Sequence, residues 1–86
     1  MNISVEFTLT PLQTDFEFPI INFIKTLRAS EFRVLENPLS TQIFGPYDAL
    51  MGFLTATIKA TFEDIDHVVL NMKIVKSDRS DYEPHF

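Results

Sequence analysis

The side chains able to do chemistry are few and scattered. Ser4, Ser30, Ser40, Ser77 and Ser80 are potential nucleophiles, yet none has a histidine with an orienting acid at a spacing that would activate it. His67 and His85 are single histidines far apart in the chain, and neither is expected to hold a metal or act in catalysis. There is no glycine-rich phosphate cradle, no His-Glu-x-x-His and no paired-carboxylate spacing. The absence of cysteine excludes disulfides, thiolate chemistry and cysteine-ligated zinc. What remains suits binding rather than catalysis. Glu6 and Lys73 read either as a cross-strand ion pair or as ligand contacts, and Ser40, Thr41 and Gln42 read either as good strand formers or as hydrogen-bonding groups. Asp78, Arg79 and Asp81 are most simply a solvated tail. No enzyme activity, cofactor or metal is expected.

The elements that must position these residues are legible from periodicity. Ile3, Val5, Phe7 and Leu9 alternate with Ser4, Glu6, Thr8 and Thr10, which predicts a strand over 2–10 with one buried face, ended by Pro11. Gln13-Thr14-Asp15 reads as a connection, and a helix over 19–29 follows, with Phe18 outside it and Ile20, Phe23, Ile24 and Leu27 forming one apolar stripe. Strands over 32–37 and 39–44 flank a turn at Asn37-Pro38. A second helix over 46–62 carries Tyr47, Leu50, Met51, Leu54, Ile58 and Phe62 at spacings of three and four. Val68, Leu70, Met72 and Ile74 then predict a last strand over 67–76.

This βαββαβ order in 86 residues fits one α+β domain of the ferredoxin-like kind, a four-stranded antiparallel sheet with two helices on one face. Residues 1–77 are expected to form the domain and 78–86 a tail. Right-handed crossovers put both helices on the same side and leave the other side bare. That bare face would show Ser4, Glu6, Thr8, Thr10, Ser40, Gln42, Phe44, Val69, Asn71, Lys73 and Val75, too apolar for a solvated surface and too polar for a dry core. A protein interface with a wet pocket resolves the conflict, so a homo-oligomer is expected.

A net charge of −5, with seven dispersed Lys and Arg residues, gives a nucleic-acid backbone or an acidic membrane little to hold. The start Met-Asn-Ile-Ser-Val-Glu-Phe is unlike a signal peptide, and no apolar run approaches the roughly 18 residues of a membrane span. The cytoplasm is the expected location.

Asn2 to Leu12 and the stretch Glu36-Asn37-Pro38-Leu39-Ser40-Thr41-Gln42-Ile43-Phe44-Gly45, followed by a helix and the strand through Lys73, resemble the YkoF-like thiamine-binding family over about residues 2 to 79. The most specific part, Asn-Pro-Leu-Ser-Thr-Gln-Ile-Phe-Gly, is similar to that family's Pro-x-Ser/Gly-Thr-x-Ile-x-Gly turn and strand. The resemblance implies a ferredoxin-like fold, dimers or tetramers, and non-catalytic binding of thiamine or its hydroxymethylpyrimidine half in a carrier or salvage role. By position it implies Glu6, Thr8, Asn37, Ser40, Thr41 and Gln42 as ligand-binding residues. An aminopyrimidine offers an exocyclic amine to a carboxylate or amide oxygen, and ring nitrogens to hydroxyl or amide donors. Two other readings compete. One is a regulatory or structural oligomerisation module; the other is a cofactor-free enzyme of the dimeric α+β barrel type. An acylphosphatase-type enzyme lacks support, because Pro11 to Phe18 contains no Arg.

Overall fold

The computed structural model describes residues 1–12, 14 and 17–83. Gln13 and Asp15 of the expected connection, and His85 near the chain end, lie outside the described residues. The elements run β1 (Asn2–Pro11), α1 (Glu17–Arg28), β2 (Arg33–Glu36), β3 (Thr41–Pro46), α2 (Tyr47–Asp64) and β4 (Val68–Val75). The sheet has the order β2-β3-β1-β4 and is antiparallel throughout. The fold is ferredoxin-like.

Both helices cover one face. Phe23 and Leu27 of α1 and Leu50 and Leu54 of α2 join Ile3, Val5, Phe7 and Ile43 in a single buried cluster, within which the Phe7 and Phe23 rings meet edge to face at 5.4 Å. Alternation along β1 therefore sends its odd-numbered side chains into the core and its even-numbered ones to the open face.

The boundaries differ from the sequence expectation for local reasons. Helix α1 begins at Glu17, so Phe18 lies inside it and Pro19 is its third residue; a first-turn N–H has no intrahelical acceptor, and a proline there costs nothing. Pro46 closes β3 and caps α2 from outside with φ −63° and ψ 140°. Strand β3 begins at Thr41, because Asn37 Oδ1 accepts from the main-chain N–H groups of Leu39 (2.9 Å) and Ser40 (3.0 Å), which folds those residues into the turn. Leu39 is 85% exposed as a result.

One expectation fails outright: Phe44 is not part of an exposed apolar patch. It is only 4% exposed. Its row across the open face runs Val75, Ser4, Phe44, Arg33, and the chain beyond β4 crosses that row. Ser4 Oγ donates to Ser77 O at 2.7 Å and accepts from Arg79 N–H at 2.8 Å, while Arg33 donates to Ser80 Oγ and Asp81 Oδ1. Residues 77–81 thus form a strap pinned at β1 and at β2, which explains why a serine at position 4 is buried.

Candidate functional site

The strap covers one end of the open face, and the rows beyond it carry the polar groups. Glu6 lies opposite Gln42 on one side and Lys73 on the other, and Thr8 lies opposite Asn71. The Glu6 carboxylate is 3.9 Å from Lys73 Nζ and accepts a hydrogen bond from Ser40 Oγ at 3.1 Å. The side chain of Glu6 is 42% exposed and that of Lys73 74%, so their attraction is screened and contributes little. Glu6 keeps capacity to accept further hydrogen bonds.

Two depressions meet at Phe7 and Thr8, and the Glu6 carboxylate borders the first of them. One, of about 200 Å³, is lined by Glu6, Phe7, Thr8, Asn71, Met72 and Lys73. The other, of about 270 Å³, lies between the Asn37–Thr41 turn and the inner side of α1, and Thr8, Leu9, Ile20 and Ile24 are among its walls. Phe7 and Thr8 line both. The second depression exists because β3 stops pairing early: the last β1–β3 partners are Phe7 and Thr41, whereas β1 pairs with β4 as far as Pro11 and Val68. Beyond Phe7 the sheet has a notch where a β3 residue would continue the ladder.

Of the six residues expected from sequence, Glu6, Ser40 and Gln42 come together on the open face, and Thr8 sits at the junction of the two depressions. Thr41 shares the core-side face with Phe7 and reaches only the notch. Asn37 lines the notch, but its Oδ1 is engaged in holding the turn. Asn71 and Leu9 were not among the expected site residues. Counting the register outward from Glu6 opposite Lys73 identifies Asn71, whereas Leu9 enters only through the notch. A larger groove of about 740 Å³ lies between the two helices, with Phe18, Phe23, Phe53, Thr57 and Asp64 among its lining. None of the expected residues borders it.

The thiamine-binding protein family model matches residues 5–86. The chain belongs to this family. The matched range takes in both depressions and the turn between β2 and β3. Among solved structures, a protein from Streptococcus pneumoniae is 26% identical, with a TM-score of 0.82 over 91% of this chain and 89% of that one. A candidate thiamine biosynthesis/salvage protein from Thermotoga maritima is 15% identical, with a TM-score of 0.80 over 90% of this chain and 85% of that one. A domain of unknown function from Bacillus cereus is 16% identical, with a TM-score of 0.74 over 96% and 83%. The last two likenesses establish the fold alone. No curated protein sequence matches significantly. Among the described residues, no helix is long and apolar enough to cross a membrane.

Proposed function

We propose that this chain binds thiamine or its hydroxymethylpyrimidine part without transforming it, in a carrier or salvage role, at the paired depressions around Glu6 and Thr8. Family membership supports the ligand class. The observation that carries the reading to a place is the pair of depressions sharing Thr8, one with a half-exposed carboxylate on its wall and the other bordered by Ile20, Ile24 and the hairpin turn. A two-ring ligand with one amine-bearing ring and one cationic ring needs such a division: apolar walls for the ring faces, and a few fixed polar groups for orientation. Ser40, Gln42 and Asn71 supply a hydroxyl and two amides beside Glu6, and Asn37 serves by holding the turn. The acidic balance of the chain favours a thiazolium cation.

Self-association into a dimer or tetramer belongs to the same proposal, since Leu35 and Val69 stay exposed on the uncovered part of the open face. A thermal-shift series with thiamine, its phosphates and hydroxymethylpyrimidine tests the ligand reading. A ligand at 100 times its dissociation constant stabilises by ~2.7 kcal/mol, which a melting curve resolves readily. No shift with any of them at millimolar concentration would return the chain to the alternative of a purely structural or regulatory module.

A further inference from the structure

The notch leaves main-chain groups, as well as side chains, facing the second depression. In an antiparallel ladder a residue turns both its N–H and its C=O towards the same neighbour, and successive residues alternate sides. The sides are fixed here at the two ends of β1. Tyr47 N–H donates to Met1 O at 2.9 Å, one step beyond the Asn2–Pro46 pair, so odd-numbered residues of β1 address β3. Leu12 N–H donates to His67 O at 2.8 Å, one step beyond the Pro11–Val68 pair, so even-numbered residues address β4.

Phe7 is the last odd residue with a partner on β3. The next, Leu9, would face Leu39, but Leu39 is folded into the turn with its own N–H given to Asn37 Oδ1. Leu9 lines the notch, and among the described residues the register places nothing opposite it. Pro11, the next odd residue, has no N–H. A single outward main-chain donor with its companion acceptor therefore stands in the notch. Because Pro11 lacks an N–H, Leu9 offers the only donor of this span, and the Asn37–Thr41 turn and α1 wall it in, which favours a small molecule over a peptide strand.

We propose that the N–H and C=O of Leu9 are the recognition pair for a 4-aminopyrimidine ring, the N–H donating to a ring nitrogen and the C=O accepting from the exocyclic amine. This rests on the ligand reading above and adds the atoms that read the ring. The pair is fixed by the β1–β4 ladder and needs no side-chain ordering, so it discriminates against a ring lacking the amine, which on binding would cover the C=O without giving it a donor.

Two measurements test it, both with 4-amino-5-hydroxymethyl-2-methylpyrimidine as probe. In the unaltered ¹⁵N-labelled chain, the Leu9 amide proton should shift downfield on titration and gain protection from exchange, and the analogue lacking the 4-amino group should bind at least tenfold more weakly. In a chemically synthesised chain whose Leu9 is replaced by its α-hydroxy acid, the N–H becomes an ester oxygen. Affinity should fall tenfold or more while the unliganded melting temperature drops by only a few degrees, because among the described residues that N–H pairs with no strand and the Thr8 carbonyl, now part of the ester, still accepts from β4, though more weakly. Binding of the probe with the Leu9 amide unmoved and the ester chain equally tight would overturn this inference and leave the ligand reading standing. Absence of any binding by the unaltered chain would overturn both.

Discussion

Replacing Glu6 by Gln keeps the shape of the side chain and removes its charge, which separates a ligand anchor from a mere partner of Lys73. In the unliganded chain the loss is small. The contact with Lys73 at 3.9 Å is solvent-exposed and is worth ~0–1 kcal/mol. The Ser40 hydroxyl, 3.1 Å from the carboxylate, can donate to an amide oxygen in its place, though more weakly. A loss below about 1 kcal/mol lowers the melting temperature of a domain this size by no more than ~4–8 °C. The loss on the ligand side is larger, since a charge-assisted bond from the pyrimidine amine is worth ~1.5–3 kcal/mol. At ~1.4 kcal/mol per decade, Glu6→Gln should weaken thiamine binding by about tenfold to a hundredfold. Titration calorimetry gives the affinity, and circular dichroism melting without ligand gives the stability. Unchanged affinity with slightly lowered stability would show that Glu6 only pairs with Lys73, and the polar anchor would pass to Ser40 and Thr41.

Ser4→Ala removes both bonds that pin the strap to β1 and should cost ~1–3 kcal/mol in urea unfolding, with faster tryptic cleavage at Arg79; a change within error would mean that the strap does not depend on that serine. Gly52→Ala, in α2 where an added Cβ meets nothing within 4 Å, should stabilise by ~0.5–1 kcal/mol. Gly45→Ala should instead destabilise by ~1–3 kcal/mol, because its Cβ would come within 2.7 Å of the Phe32 ring, itself packed on Phe53; equal effects of the two substitutions in thermal melts would contradict the packing at β3. The Asp78 carboxyl is held below its ordinary range chiefly by a hydrogen bond from the Ser80 side chain and also by the Ser80 main-chain N–H. A carboxyl with a depressed folded-state value stabilises above its unfolded value and loses that contribution as pH falls through the folded one, so strap order, followed by Ser80 amide exchange, should decline on acidification below the ordinary Asp range and decline less in Asp78→Asn, where the Arg33–Asp81 contact remains.

Much of the fold was legible because it is written in local periodicity. The alternation of Ile3, Val5, Phe7 and Leu9 specifies one buried face, and the stripes from Phe23 to Leu27 and from Leu50 to Leu54 specify the helices that cover it. The failures are long-range. Phe44 reads as open-face residue by parity, which is correct, but its burial depends on Ser4 meeting residues 77 and 79, and no local pattern reports that. The late start of β3 follows from one side-chain acceptor, Asn37 Oδ1, capturing two amides that a strand would otherwise use. In the candidate site, the placement of Glu6, Thr8, Ser40 and Gln42 on one face was accessible from strand parity. The notch and the outward pair on Leu9 were not, because they arise from the difference between where β1 stops pairing with β3 and where it stops pairing with β4.

The proposed site places a thiamine-type ligand at the sheet edge beyond the end of β3, between β1 and the hairpin turn, reaching from the notch beside α1 to Glu6 on the open face. Amide shift mapping of the ¹⁵N-labelled chain during a thiamine titration tests this most directly. Saturable shifts should cluster at Glu6, Thr8, Leu9, Ser40, Thr41 and Asn71, with residues 53–64 of α2 silent. Shifts concentrated instead at Phe18, Asn22, Phe53, Thr57 and Asp64 would place the ligand in the groove between the helices and contradict it.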